Sequence, residues 1–155
     1  MTAVSDADVA AMRDALAEAR EALTTGDVPV GAVVVDARGR VIARGRNERE
    51  AVGDPTAHAE VVALRAAAGV VGDWQLNGCT LVVTLEPCVL CAGAILAARV
   101  PRVVFGAFDD KAGAAGGVID LLRERRLPFR VDEVVGGVMA DDAATLLREF
   151  FDTRR

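Results

Sequence analysis

The chain has 155 residues, enough for one domain with a buried core and too few for two ordinary ones. Its 18 basic and 23 acidic side chains leave a net charge of -5, which excludes a protein that coats nucleic acid through bulk positive charge. No apolar run approaches the roughly 18 residues of a membrane span, and residues 1–8 lack the basic-then-apolar order of a secretory signal, so no membrane partner and a cytoplasmic location are expected.

Ser5 or Asp6 is placed to cap a first helix running to about Thr24, with Val9, Met12, Ala15, Leu16 and Ala19 at helical spacing and Gly26 and Asp27 ending it. Val30 to Val35 is a β-branched run, Asp36 to Gly39 a turn, and Arg40 to Gly45 an alternating stretch, which together predict a β-hairpin. Asn47 to Asp54 reads as a polar loop. An apolar helical pattern follows from about Ala57 to Ala68, and it opens with His58, the one histidine of the chain. Cys79 to Leu85 is a short strand, and Pro87 then suits the first turn of a helix that carries Cys88 and Cys91 and runs to about Ala98. Pro101 to Phe105 makes a strand closed by Gly106. Asp109 to Gly117 is rich in Gly and Ala without a period and reads as a loop. A short helix over Val118 to Arg125, a strand near Arg130 to Val135 and a last helix over Ala140 to Phe151 complete the chain. This alternation predicts a single α/β domain, residues 1–155, whose sheet is covered by helices.

Cys88 and Cys91 are too close in sequence to staple a fold, and in a reducing compartment their spacing points to metal or redox chemistry. At i and i+3 they share a helix face, which suits two thiolates on one tetrahedral zinc, with His58 as a third ligand. Three protein ligands leave a fourth position open to water, the arrangement of a catalytic zinc. Helix N-termini help to keep the thiolates ionised. Glu60, about 200° around an ideal helix from His58, is better placed to address that water than to bind the metal. Zinc lowers the pKa of bound water to about 7, so a nearby carboxylate can take its proton. A bare Cys-x-x-Cys also fits a thioredoxin-like redox pair, a reading the upstream His-x-Glu weakens. Cys79 reads as a small core residue.

His-x-Glu followed by Pro-Cys-x-x-Cys is the signature of zinc nucleobase deaminases. Asp54-Pro55-Thr56-Ala57-His58-Ala59-Glu60, the stretch Thr84 to Ala94 that contains Leu85-Glu86-Pro87-Cys88, and Arg102-Val103-Val104-Phe105-Gly106-Ala107 resemble the bacterial tRNA-specific adenosine deaminases of the cytidine/deoxycytidylate deaminase superfamily. The resemblance extends from Val28-Pro29-Val30-Gly31 to Phe150-Phe151 and Arg154-Arg155. It implies a three-layer α/β/α cytidine-deaminase-like fold with a five-stranded mixed sheet, one zinc ion per subunit and a homodimer. The implied activity is hydrolytic deamination of the wobble adenosine of a tRNA anticodon, with an arginine tRNA as substrate.

Carried over residue by residue, the resemblance makes His58, Cys88 and Cys91 the zinc ligands. Glu60 becomes the shuttle that protonates N1 of adenine and then the departing amine, and the backbone N–H of Ala59 a donor to the oxygen on which charge develops. Asn47 would hydrogen-bond the flipped nucleoside, with Val28 and Pro29 in the pocket wall. Asp109 and Lys111 would meet neighbouring nucleotides of the anticodon stem-loop, and Phe150, Phe151 and Arg154 would support flanking bases and backbone.

Two departures bear on RNA affinity rather than on chemistry: Phe108 stands where the family often has arginine, and the chain ends at Arg155 without the longer basic tail of some relatives. Phe108 offers a stacking surface in exchange. Phe150 and Phe151 also read as the apolar end of a packing helix. Asp109, Asp110 and Lys111 also read as a solvated loop, and Arg123, Arg125, Arg126 and Arg130 as either a basic patch or a solvated helix end. The competing functions are a deaminase of a free base or nucleotide, guanine or cytosine, and a non-catalytic, zinc-stabilised RNA-binding subunit, for which Glu60 would be superfluous. Residues 1–98 hold 8 basic and 13 acidic side chains and residues 99–155 hold 10 of each. The net charge therefore leaves the second part free to accept one flipped base and its neighbours by local contacts.

Overall fold

The strands of this computed structural model, which describes residues 4–154, place alternate side chains on opposite faces of one sheet, and that alternation sets the layers. Arg155 lies outside the described residues. The sheet has the order β2-β1-β3-β4-β5, with β1 over Gly31–Val35, β2 over Val41–Arg46, β3 over Thr80–Leu85, β4 over Arg102–Ala107 and β5 over Glu133–Val135. β1 runs antiparallel to β2 and β3, whereas β3, β4 and β5 are parallel. The expected five-stranded mixed sheet is therefore present.

Ala32, Val34, Leu81, Val83, Val103 and Phe105 face one core. That core is closed by α3 (Ala59–Val71) and α4 (Val89–Ala97) through Ala59, Ala63, Leu64 and Ile95. Val33, Val82, Val104 and Val135 face the other core, closed by Met12 and Leu16 of α1 (Asp6–Ala22) and Ala143 of α5 (Ala140–Asp152). Each fully buried Val, Leu or Met contributes about 1.5–3 kcal/mol relative to exposure, so both faces need their helices. Ser5 starts α1 with a capping box: its Oγ accepts from the Asp8 N–H at 3.1 Å, and its own N–H donates to Asp8 Oδ2. Helix α3 lies unusually close to β2, because a Cβ at Gly45 would stand 2.5 Å from both the Ala59 carbonyl oxygen and the Ala63 nitrogen. Only glycine admits that approach.

Several expectations need correction. A four-residue helix, α2 (Arg49–Val52), lies in the segment that reads as a loop. The helix expected over Val118 to Arg125 does not form; that segment is turns, tied by a bridge between Ala115 and Asp120 and by the Leu121 N–H on the Ala114 carbonyl. Pro87 precedes α4, and Cys88 is its N-cap rather than part of its first turn. Strand β4 continues through Gly106, where the sequence suggested a stop, and β5 is only three residues long. Among the described residues no helix is long and apolar enough to cross a membrane.

Candidate metal centre and cavity

Two helix starts bring the chemistry together. His58 is the N-cap of α3, extended at φ -72 and ψ 151, and Cys88 is the N-cap of α4 at φ -81 and ψ -178. Neither side chain caps its own helix by a hydrogen bond, so both are free to turn toward each other. Cys91, one turn into α4, is fully buried behind them. The Nδ1 atom of His58 lies 3.5 Å from Cys88 Sγ and 3.4 Å from Cys91 Sγ, and all three donor atoms lie within 4.8 Å of one another. A tetrahedral zinc with Zn–S near 2.3 Å and Zn–N near 2.0 Å requires N···S edges of about 3.5 Å, so the donor set fits that ion.

The two thiols lie beside each other. The hydrogen bond from Cys91 holds the Cys88 thiol down at about 5, and that same bond, reinforced by burial, pushes Cys91 well above the usual thiol range. A divalent cation would displace the thiol protons and satisfy both sulfurs. Glu60 is 4% exposed in the first turn of α3. Burial pushes its carboxyl up to about 7, against the pull of its own backbone N–H and of Cys91. A carboxyl poised near neutrality can both take and return a proton. The Ala59 N–H belongs to the same first turn, where helix N–H groups have no partner within the helix.

A cavity of about 220 Å³ opens over this floor. It is smaller than the usual range of about 300–1,000 Å³ for ligand sites, so it has room for a single base and leaves the remainder of a larger ligand outside. Of the residues expected to bind substrate, Val28, Asn47 and Asp109 line it, together with His58, Ala59, Glu60 and Cys88. Asn47 is nearly buried, and its Oδ1 accepts from the Arg49 N–H at 3.1 Å, which leaves its amide NH₂ to donate. Lys111 lines a neighbouring cavity of about 330 Å³ that shares Cys88 and Ala112 with the first.

The structure does not bring Pro29, Phe150, Phe151 or Arg154 into the lining of this cavity. Phe150 is buried, with the Arg154 guanidinium 3.6 Å above its ring, while Phe151 is exposed and packs edge-on against it. Phe108 is exposed and packs edge-on against Phe105. Arg49 and Glu86 line the cavity without having been singled out from the sequence. Glu86 sits inside the Leu-Glu-Pro-Cys text and had a signal there; Arg49 had none, because nothing local marks α2.

Residues 5–107 match the model of the cytidine and deoxycytidylate deaminase zinc-binding region, a span that holds all three donors. The chain is 54% identical over 145 residues to a tRNA(Ile)-lysidine synthase of Deinococcus deserti, covering 94% of this chain and 27% of that protein. It thus spans about a quarter of the length of that relative. It is 46% identical over 140 residues to a tRNA-specific adenosine deaminase of Bacillus subtilis, covering 90% of this chain and 86% of the relative. A solved structure from work on A-to-I editing by tRNA:A34 deaminases at the wobble position superposes with a TM-score of 0.84 at 40% identity, covering 89% of this chain and 99% of that one. A guanine deaminase from Nitrosomonas europaea superposes with a TM-score of 0.79 at 26% identity, covering 97% and 86%.

Proposed function

The chain belongs to the cytidine and deoxycytidylate deaminase family, and from that membership we propose that it hydrolyses adenosine to inosine and ammonia at the wobble position of a tRNA anticodon. Residues 1–155 act as a single zinc-dependent deaminase domain. The observation that carries this reading is the buried Glu60 beside the His58, Cys88 and Cys91 donor triangle at the floor of a cavity sized for one base. The relatives named for tRNA deamination support RNA as the substrate class over a free base.

When bound by His58, Cys88 and Cys91, zinc supplies the Lewis acidity that makes water a nucleophile at neutral pH. Glu60 would take one proton from this water and deliver it to N1 of the purine as the water oxygen bonds to C6, then take the second proton from that oxygen and pass it to the amino group, so that the C6–N bond breaks, ammonia leaves and a C6 carbonyl remains. The Ala59 N–H donates to the oxygen that gains charge. Asn47 orients the base through its amide NH₂, Val28 closes the wall, and Asp109 and Lys111 meet the flanking nucleotides. Pro29 adjoins Val28 in sequence but does not line the cavity, and Phe150, Phe151 and Arg154 serve RNA outside it. An arginine tRNA, a homodimer and a cytoplasmic setting belong to the same proposal.

The test is to incubate the zinc-loaded protein with an anticodon stem-loop bearing adenosine at the wobble position and, separately, with free guanine, cytosine and adenine. Inosine at the wobble position with no ammonia from the free bases is the expected result. Ammonia released only from a free base would overturn the tRNA reading.

A further inference from the structure

Glu86 is 2% exposed and carries both carboxyl oxygens into the segment that borders the cavity. Its Oε1 accepts from the Asp109 N–H at 3.0 Å, and its Oε2 accepts from the N–H groups of Ala115 at 3.0 Å and Gly117 at 2.8 Å. Two glycines leave room for it. A Cβ at Gly117 would stand 2.7 Å from Oε1, and one at Gly113 would overlap the carboxyl group itself. The segment closes around this anchor: Asp109 Oδ1 accepts from the Lys111 and Ala112 N–H groups, and the Asp109 carbonyl accepts from Gly113. The carbonyl of Pro87, next in sequence, accepts from the Ala114 N–H at 2.8 Å.

From this geometry we infer that Glu86 is a positioning residue for substrate, holding residues 109–117 as the fixed wall of the cavity at a set distance from Cys88. Its oxygens are occupied by backbone donors, so it does not act as a second acid or base. The wall it holds carries Asp109 and Ala112 into the cavity and Lys111 into the adjoining one. Because Glu86 stands two residues before Cys88, the reach from the metal ligand to the wall is set within one short stretch of backbone. The inference rests on the RNA reading above, since the side of this wall that carries Lys111 into the adjoining cavity matters to a substrate that extends beyond one base.

Glu86→Gln keeps the side-chain length but turns an NH₂ toward backbone N–H donors. The zinc-loaded variant should retain one zinc per chain and a kcat within about twofold of the parent, while KM for the anticodon stem-loop rises roughly tenfold. Without RNA, amide exchange at 109, 115 and 117 should accelerate by roughly tenfold or more while that of Val33 and Val82 in the sheet stays as in the parent. Gly117→Ala, which leaves Glu86 intact and pushes the wall off it, should give the same pattern if Glu86→Gln folds poorly. Unchanged exchange at 109, 115 and 117, an unchanged KM, a fall in kcat at constant KM, or loss of zinc would each overturn the assignment. Exchange is read without RNA, so a parent protein that leaves the stem-loop untouched counts against the proposed substrate and not against Glu86.

Discussion

The floor and the rim of the cavity are built in different ways. On the floor, helix starts aim the side chains to which the chemistry is assigned in the proposal: His58 and Cys88 are N-caps, and Glu60 and Cys91 lie in the first turns behind them. On the rim, backbone segments form the walls and buried carboxylates from elsewhere hold them. Glu86 grips 109–117. Asp27, 1% exposed, accepts from the N–H groups of Glu50 at 2.6 Å and Ala51 at 3.1 Å and from the Thr25 hydroxyl at 2.6 Å, fixing α2 and with it the Asn47 and Arg49 side of the cavity. Reaction and reach are therefore separable: substitutions on the floor should act on turnover, and those under the rim on substrate affinity.

The largest effect should come from the floor's metal donors. Cys91→Ala, or stripping the parent with a chelator, should reduce inosine formation to background, and only the stripped parent should recover when zinc is restored. Retained activity in metal-free protein, measured with metal content alongside, would break the division. Next, Glu60→Ala should keep one zinc per chain and lose about 10²–10⁴ in kcat, the usual range for a general acid–base group. Parental turnover by that variant would remove the proton shuttle from the mechanism.

Smaller effects test the rim. Asp27→Ala leaves the Glu50 and Ala51 donors without their acceptor, at about 1–3 kcal/mol of stability. It should raise KM for the stem-loop several-fold with kcat near the parent's; a kcat loss at constant KM would show that the two regions are coupled. A buried carboxylate away from the cavity sharpens the contrast because it lies under the opposite face of the sheet. Asp8 pairs with Arg102 through bonds of 2.7 and 2.8 Å, and the bond from Arg102 holds its carboxyl below the usual value of 3.8. Its stabilisation is complete above that ordinary value and is lost as pH falls through the lowered folded value. Asp8→Asn should therefore cost about 1.5–3 kcal/mol near neutrality, with a gap to the parent that closes in acid and no change in KM. A shift in KM would show that any buried carboxylate, wherever it sits, tunes the cavity.

The arrangement of the floor was legible in the sequence because its residues are grouped in local text: His-x-Glu and Pro-Cys-x-x-Cys each straddle one helix start. The hairpin and the long helices were legible because their side chains alternate or repeat against a single core. The rim was not. Asp27 and Glu86 look like ordinary surface acids in a chain with 23 of them, and their burial becomes evident only when segments 23 to 31 residues away fold onto them. The same long-range ties explain two misread elements. Asp27 organises α2 from a distance, and the 118–125 segment has helical spacing but directs the N–H groups of Val118, Ile119 and Leu121 to the carbonyls of Gly113 and Ala114. Phe150 was legible as an aromatic at the end of a helix, but its burial under Arg154 depends on where α5 meets Gly26, whose carbonyl accepts from Arg154.

The close seat of α3 on β2 at Gly45 has a mechanical consequence. Helix α3 carries His58, Ala59 and Glu60 as one rigid body, and its height above the sheet is set by backbone meeting backbone, with no side chain between them to yield. A single methyl group added at Gly45 would act as a shim: it would lift His58, Ala59 and Glu60 together away from Cys88 and Cys91, opening the donor triangle from beneath without replacing a residue that faces the cavity.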